Sequence, residues 1–255
     1  MTDGTATLPT ATSDPEAPGL TQVQRVTYTF TAPSKTFTDI LRNTSWWLPF
    51  ILGAVISYAF IFSMTSRIGW EKMTESGMKA NPKQYDQVQA LPAAQRAQAL
   101  QLGMMFTKGF TYAVPLIGLL FASLAALVLW GTINFMFGGR ATYGQVFAVW
   151  IFATLPLALQ GILGIITMFA GVDPDSFNIQ NPVGSNIGYY LPTETPKWLT
   201  TFATSIDIFW IWSMILVAIG LAIVAKVKRS SGLTAVFGWW ILLLIIRMGI
   251  AAVSS

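Results

Sequence analysis

Five long apolar runs constrain what this chain can fold into more than any other feature. A bilayer's hydrocarbon core takes about 20 helical residues to cross, and each run is about that long or longer. Few charged residues fall inside the runs, and the two whose position in a span has to be explained are Asp207 and Arg247. The pattern predicts an all-α integral membrane protein with five transmembrane helices. The predicted spans are approximately 46–64, 110–137, 146–171, 206–227 and 234–253.

The composition supports this class and removes several others. Hydrophobic residues make up 53% of the chain and charged residues only 10%, whereas a soluble protein has about 25% charged residues. The chain has no cysteine and no histidine, which removes thiol nucleophiles, imidazole bases and the usual zinc, haem and iron–sulfur ligands. We therefore predict no cofactor and no metal site. A basic stripe with interleaved aromatic residues is also missing, so no nucleic-acid partner is expected.

The segment ahead of the first run predicts a tail. Residues 1–33 are rich in Thr, Pro, Ala and acidic side chains, a composition that favours disorder. The remainder, 34–255, is predicted to form one membrane domain. Its first residues, up to Asn43, have apolar side chains at helical spacing. Two interpretations stay open, a short amphipathic helix along the membrane surface and a plain helical start of the first span.

The loops differ in character. The first loop, residues 65–109, is predicted to carry one or two short helices, the second of them starting after Leu91 and Pro92. The third loop, residues 172–202, is rich in Asn, Pro and Gly, so turns are expected there.

Basic residues near the span ends predict the orientation. With the tail inside, the raw count of Lys and Arg is equal on the two faces. The short loops decide, since they carry the most reliable signal: Arg140, Lys226, Lys228 and Arg229 fall on the inner face, whereas the third loop holds only Lys197. We therefore predict a cytoplasmic tail and a C-terminus outside.

Small residues and prolines predict how the spans pack. Lipid supplies no hydrophobic drive between helices, so close backbone approach has to contribute. Pro115 is expected in the first turn of the second span, and Pro156, ten residues into the third, is expected to kink it. Stripes of small residues favour packing within the chain over a dimer face. These stripes comprise Gly118, Ala122, Ala125 and Ala126, then Gly161 and Gly164, and finally Ala218, Ala222 and Ala225.

A polar cluster is predicted at depth in the bundle. Arg at mid-helix costs about 2.5–3.5 kcal/mol on an insertion scale, so Arg247 needs a reason. Counting along the spans brings Gln160 to a similar depth, and Asp207 within reach of the Arg247 side chain. The functional interpretation is a site for an ion, a lipid head group or a substrate. The structural alternatives are a pair that locks the helices and two independent snorkelling side chains.

The chain resembles the Yip family, named for Rab/Ypt-interacting proteins, and in particular its bacterial membrane-protein branch. The resemblance runs from about Phe30 to the C-terminus and is one of pattern and order. The stretches that carry it are APSKTF and ILRNTSWWLPFIL, GGRATYGQVFAVWIFATLP, NPVGSNIGYYLP, SIDIFWIWSMILVAIGLAIVAKVK and VFGWWILLLIIRMGIAA.

The resemblance implies a five-helix membrane domain with a cytoplasmic N-terminal tail, here in the inner membrane of a bacterium. Eukaryotic members act in the early secretory pathway and associate with Rab GTPases and with one another. Their Asp-Leu-Tyr-Gly-Pro motif ahead of the first span is missing here, so Rab binding is not carried over. The family has no residue of known catalytic role to transfer.

Three functional hypotheses follow. The first is a non-enzymatic membrane scaffold or interaction component whose partners are lipids and other membrane proteins or a second copy of itself. The second is a small transporter or permease-like subunit with a polar site near Arg247. The third, an intramembrane enzyme, would need an Asp pair or a Ser–Lys arrangement, whereas only one Asp lies in a span and no Lys lies deep in one.

Overall fold

The computed structural model describes residues 19–79, 82–170, 178–192 and 194–253, and the regular structure within them is helical. Eleven α-helices follow one another in these ranges. Their bounds are α1 Gln22–Thr31, α2 Pro33–Ile40, α3 Trp47–Arg67, α4 Trp70–Lys79, α5 Pro82–Gln89, α6 Ala93–Gly131, α7 Tyr143–Ala153, α8 Leu155–Phe169, α9 Lys197–Ser205, α10 Ile208–Ala225 and α11 Arg229–Val253. A π-helical segment, Thr132–Met136, continues α6, and a 3₁₀ turn, Ile187–Tyr190, lies in the third loop.

The prediction of five transmembrane helices is confirmed. Five helical stretches in the described residues are long and apolar enough to cross a membrane, so the chain is an integral multi-pass membrane protein. We call the end of the bundle where α3 begins and α10 ends the near end, and the opposite end the far end. The observed spans are Trp47–Arg67, Ala93–Met136, Tyr143–Phe169, Ile208–Ala225 and Arg229–Val253.

The second span starts much earlier than predicted. Instead of a loop helix followed by a span, α6 is one continuous helix of 39 residues. At a rise of 1.5 Å per residue it is about 58 Å long, roughly twice the thickness of a hydrocarbon core. The helix continues through Lys108, Gly109 and Thr111 although these residue types often mark a helix boundary, so the two predicted segments merge. The expectation that Pro115 lies in a first turn was therefore wrong, because it lies inside α6.

The third span is kinked where Pro156 predicts. Helix α7 ends at Ala153, α8 begins at Leu155, and Thr154 between them has φ −88° and ψ 2°. Proline has no N–H to give to the residue one turn earlier, so the helical hydrogen-bond ladder is interrupted there.

The prediction of a disordered tail was wrong for residues 22–31, which form α1; residues 1–18 lie outside the described part. A capping box starts the helix: Thr21 accepts from the Gln24 N–H, and the Gln24 side chain accepts in return. Its last turn packs on the bundle, with the Phe30 ring 5.7 Å from the Trp212 ring. Composition alone could not reveal that the few apolar residues of this segment pack against the transmembrane helices.

Helix α2 resolves the question left open for the segment ahead of the first span. It is a separate helix, so it is not the start of α3, and its apolar face lies against protein rather than lipid. Phe37 and Ile40 are fully buried, and the Phe37 ring lies against the backbone of Gly220 in α10.

Most of the small residues pack within the chain, as predicted. Ala122, Ala126, Ala218, Ala222 and Ala225 are buried. In α8 a Cβ at Gly161 would approach the Ile56 side chain to 3.2 Å, and one at Gly164 would come within 2.6 Å of the Phe60 ring. Gly118 is the exception, because a Cβ there would meet no atom within 4 Å.

The first loop carries short helices, as predicted. Helix α4 packs closely along the first part of α6. A Cβ atom added at Gly103 of α6 would come within 3.1 Å of the Thr74 side chain of α4. Glu75 of α4 pairs with Lys79 at 2.9 Å and accepts from the Tyr85 hydroxyl of α5 at 3.0 Å. Lys79 and Tyr85 together hold the pKa of the Glu75 carboxyl below its usual value. These contacts join α4 to α5.

Candidate functional site

Asp207 lies at a break between two helices. Helix α9 ends at Ser205 and α10 begins at Ile208, while Asp207 is extended, with φ −109° and ψ 133°. Its Oδ1 accepts from the backbone N–H groups of Phe209 at 2.9 Å and Trp210 at 3.0 Å. These groups have no partner inside a helix, so Asp207 is the N-cap of α10.

The second carboxylate oxygen joins α10 to α8 and to the third loop. Oδ2 of Asp207 accepts from the Gln160 side-chain amide at 2.9 Å and from the Ser185 hydroxyl. Gln160 also donates to the Ser185 hydroxyl oxygen at 2.9 Å. Asp207 is only 6% exposed, and both of its oxygens are occupied. We call Asp207, Gln160 and Ser185 the Asp207 network.

Backbone contacts hold the third loop on the same network. Asn186 forms an isolated antiparallel bridge with Asp207, and the Ile208 N–H donates to the Ser185 carbonyl at 3.0 Å. The side-chain amides of Asn181 and Asn186 bond reciprocally at 3.0 Å and 2.8 Å. The sequence predicted Gln160 and Asp207 but missed Ser185, Asn181 and Asn186, since a turn-rich loop did not signal which polar side chains turn inward.

Arg247 does not belong to the network, and the predicted Asp207–Arg247 pair was wrong. Arg247 is exposed on α11, and among the described residues no ion pair joins it to Asp207. Counting residues predicts depth but not the face of the helix on which a side chain lies. Arg247 stands six residues before Val253, about 9 Å of helical rise, so its long side chain can snorkel toward the membrane–water interface.

A second buried polar network joins α1 to α2, and the sequence analysis missed it. Arg25 is 1% exposed and Asp39 is 8% exposed. Nε of Arg25 donates to Oδ2 of Asp39 at 2.6 Å, and a second guanidinium nitrogen approaches the same oxygen at 2.6 Å. Arg25 also donates to the Ser45 carbonyl at 3.2 Å, which fixes the hairpin at the start of α3. Nothing in the spacing of Arg25 and Asp39 marks them as partners.

The buried charges in both networks are matched by hydrogen bonds. Oδ1 of Asp39 accepts from the Leu20 N–H at 3.2 Å, so this carboxylate is occupied at both oxygens, like that of Asp207. The described residues hold no group of three or more acidic, His or Cys side chains that could bind a metal. The two networks can therefore fix helices and a loop in place. Neither of their carboxylates has an unbonded oxygen for proton transfer or ligand coordination.

Comparison with known proteins shows the family. The Yip1 domain model matches residues 27–250, so the match begins within α1, includes the first four spans and ends three residues before the end of the fifth. No curated protein and no solved structure matches the chain.

Proposed function

The chain belongs to the Yip1 domain family, and we propose that it acts as a non-enzymatic membrane scaffold or protein-interaction component. We place it in the inner membrane of a bacterium, with the N-terminus in the cytoplasm. The occupied carboxylates of the two buried networks support a structural role for these groups rather than a catalytic one. The observation that carries the proposal is an apolar surface on the extended part of α6.

This surface consists of Leu102, Met105 and Phe106, and we call it the α6 patch. These residues are 48%, 65% and 77% exposed. Helix α4 lies beside the same stretch of α6, since Lys108 is 5.7 Å from the Trp70 ring at the start of α4. Because α4 carries two acidic and two basic residues, which need hydration, this stretch lies beyond the hydrocarbon core. Large apolar residues exposed there are typical of a protein-interaction surface.

Site-specific crosslinking in native membranes tests the scaffold proposal. A photoreactive residue at Phe106 is expected to form protein adducts of discrete mass, because an apolar surface outside the bilayer is covered by a partner. The matched control is Leu124, which is also exposed on α6 but lies in the span, and adducts to lipid are expected there. Adducts at Phe106 should disappear in Leu102→Ser/Met105→Ser. Lipid adducts alone at Phe106, or protein adducts that survive this double substitution, would contradict the proposal.

Cysteine labelling tests the proposed orientation. The chain has no native cysteine, so single cysteines at Ser230 and Gln98, both exposed, report the two faces. We expect a membrane-impermeant maleimide to label Gln98→Cys in intact cells, and Ser230→Cys only after permeabilisation. The reason is that the short loops at the near end, with their flanking residues, carry the basic side chains that favour the cytoplasm; they are Arg140, Lys226, Lys228 and Arg229. The reverse labelling pattern would invert the orientation.

The transporter alternative has one structural feature in its favour and two against it. The break between α9 and α10 resembles the discontinuous helices at which transporters bind substrate. The N-terminus of α10 is already occupied by the Asp207 carboxylate, however. Arg247, around which the alternative was built, lies apart on the exposed face of α11. The scaffold is therefore the function that the geometry supports best.

A further inference from the structure

A cavity of about 470 Å³ lies between the spans, and the charged and amide side chains of the two polar networks are not among its lining residues. Helix α3 forms one wall, α6 the second, and the junction of α7 with α8 the third, while Trp150 and Trp210 are among the lining residues. Its volume is within the range of pockets that hold small molecules. None of the lining residues is charged.

Small residues and the proline kink leave this space unfilled. Gly53 and Ala54 line the α3 wall, and Gly118 and Ala122 line the α6 wall. A Cβ at Gly53 or at Gly118 would meet no atom within 4 Å, so no described side chain reaches into the space between them. The kink at Pro156 adds room because it turns α8 away from the direction of α7.

The cavity opens toward the lipid along α6. Helix α3 closes against α8 where Ile56 meets Gly161, and the Tyr58 hydroxyl donates to the Tyr112 carbonyl at 3.0 Å, which ties α3 to α6. On the α6 wall, Val114 and Phe121 line the cavity and are 38% and 67% exposed. All the walls belong to membrane spans, so what enters this opening comes from the bilayer.

We propose that this cavity binds one acyl chain of a bilayer lipid. The lining is apolar, and of its two hydroxyls that of Thr154 already donates to the carbonyls of Trp150 and Ile151. The other polar side-chain groups of the lining residues, the Ser57 hydroxyl and the indole N–H groups of Trp150 and Trp210, are neutral and offer no charge to pair with a charged head group. A hydrocarbon chain needs no such partner, and it gains dispersion contacts with Trp150 and Trp210 that an empty cavity forgoes.

Photocrosslinking with a phospholipid that carries a diazirine in its acyl chain tests this site. We expect wild-type adducts, mapped by mass spectrometry, on residues of the inner wall such as Trp150 and Ala158. Gly118→Leu should reduce them because its side chain enters the cavity between α3 and α6 and competes with the acyl chain, whereas adducts at the lipid-facing Leu124 should remain. The matched control is Gly131→Leu on the same helix, where a Cβ also meets nothing and which does not line the cavity.

Three results would overturn the proposal. One is wild-type adducts confined to lipid-facing positions, and another is inner-wall adducts that persist unchanged in Gly118→Leu. The third, obtained with a photoreactive residue in place of Ala158 instead of the lipid probe, is a crosslink between two copies of the chain, which would identify a protein occupant. If Gly118→Leu does not fold, Gly53→Leu enters the same space from the α3 wall, and the wild-type map remains decisive by itself.

Discussion

Asp39→Leu is expected to lower the free energy of unfolding by about 3–5 kcal/mol, because it leaves the charge of Arg25 buried and unpaired. The Arg25 guanidinium is almost completely buried, so water cannot replace the lost carboxylate. Its remaining bonds, to the carbonyls of Ser45 and residue 39, are neutral and longer than 3 Å. Unfolding in mixed micelles, followed by tryptophan fluorescence, measures the change.

The double substitution Arg25→Met/Asp39→Leu separates an unpaired charge from lost packing. Replacing both partners of a buried ion pair by apolar groups of similar size is often neutral or stabilising. Most of the stability lost in Asp39→Leu should therefore return in the double variant. A matched exposed control is Glu75→Gln, which removes a solvent-exposed pair with Lys79 and should change little. An Asp39→Leu protein as stable as wild type would show that the pair does not hold the α1–α2 hairpin.

Asp207→Ala is expected to release the third loop as well as destabilise α10. Loss of the N-cap costs about 1 kcal/mol, and a hydrogen bond to a charged group, such as the one that Gln160 donates to the carboxylate, contributes about 1.5–3 kcal/mol. Since the Ser185 hydroxyl donates to the Asp207 carboxylate, the loop loses this side-chain attachment at the same time and keeps only its backbone contacts. Hydrogen exchange of peptides from residues 183–191 should accelerate, while exchange in α3 stays at the wild-type level.

Asp207→Asn is the informative control for this prediction. Its side-chain carbonyl can still accept from the N–H groups of Phe209 and Trp210, because Asn is as good an N-cap as Asp. The cap should survive, whereas the bonds from Gln160 and Ser185 have to compete for a group that is now also a donor. We expect an intermediate effect on the loop. Unchanged exchange in Asp207→Ala would mean that the backbone alone holds it.

The elements that the sequence predicted correctly depend on local signals. The length and apolarity of each run determine the five spans, since a polar backbone in lipid has to satisfy its own hydrogen bonds. Pro156 interrupts the third span because its missing N–H is a property of that residue alone. Gln160 and Asp207 attracted attention because polar groups inside a span are costly, and they do meet in the structure.

Apart from the early start of the second span, the errors concern relations between segments. Arg25 and Asp39 are 14 residues apart, and only the α1–α2 hairpin makes them partners. Arg247 lies on a predicted span, but the rotation of α11 against its neighbours decides which face it occupies. The cavity beside Gly118 depends on how far α3 and α6 stand apart, which no single helix reveals.

The sequence by itself thus determined that this protein is a five-span helical membrane protein and where its third span bends, because solvent and backbone chemistry act residue by residue. Only the tertiary structure decided which buried charges pair, which side chains face lipid and where space remains between helices. Those outcomes depend on the rotation and separation of packed helices, and these are set jointly by many contacts that are distant in sequence.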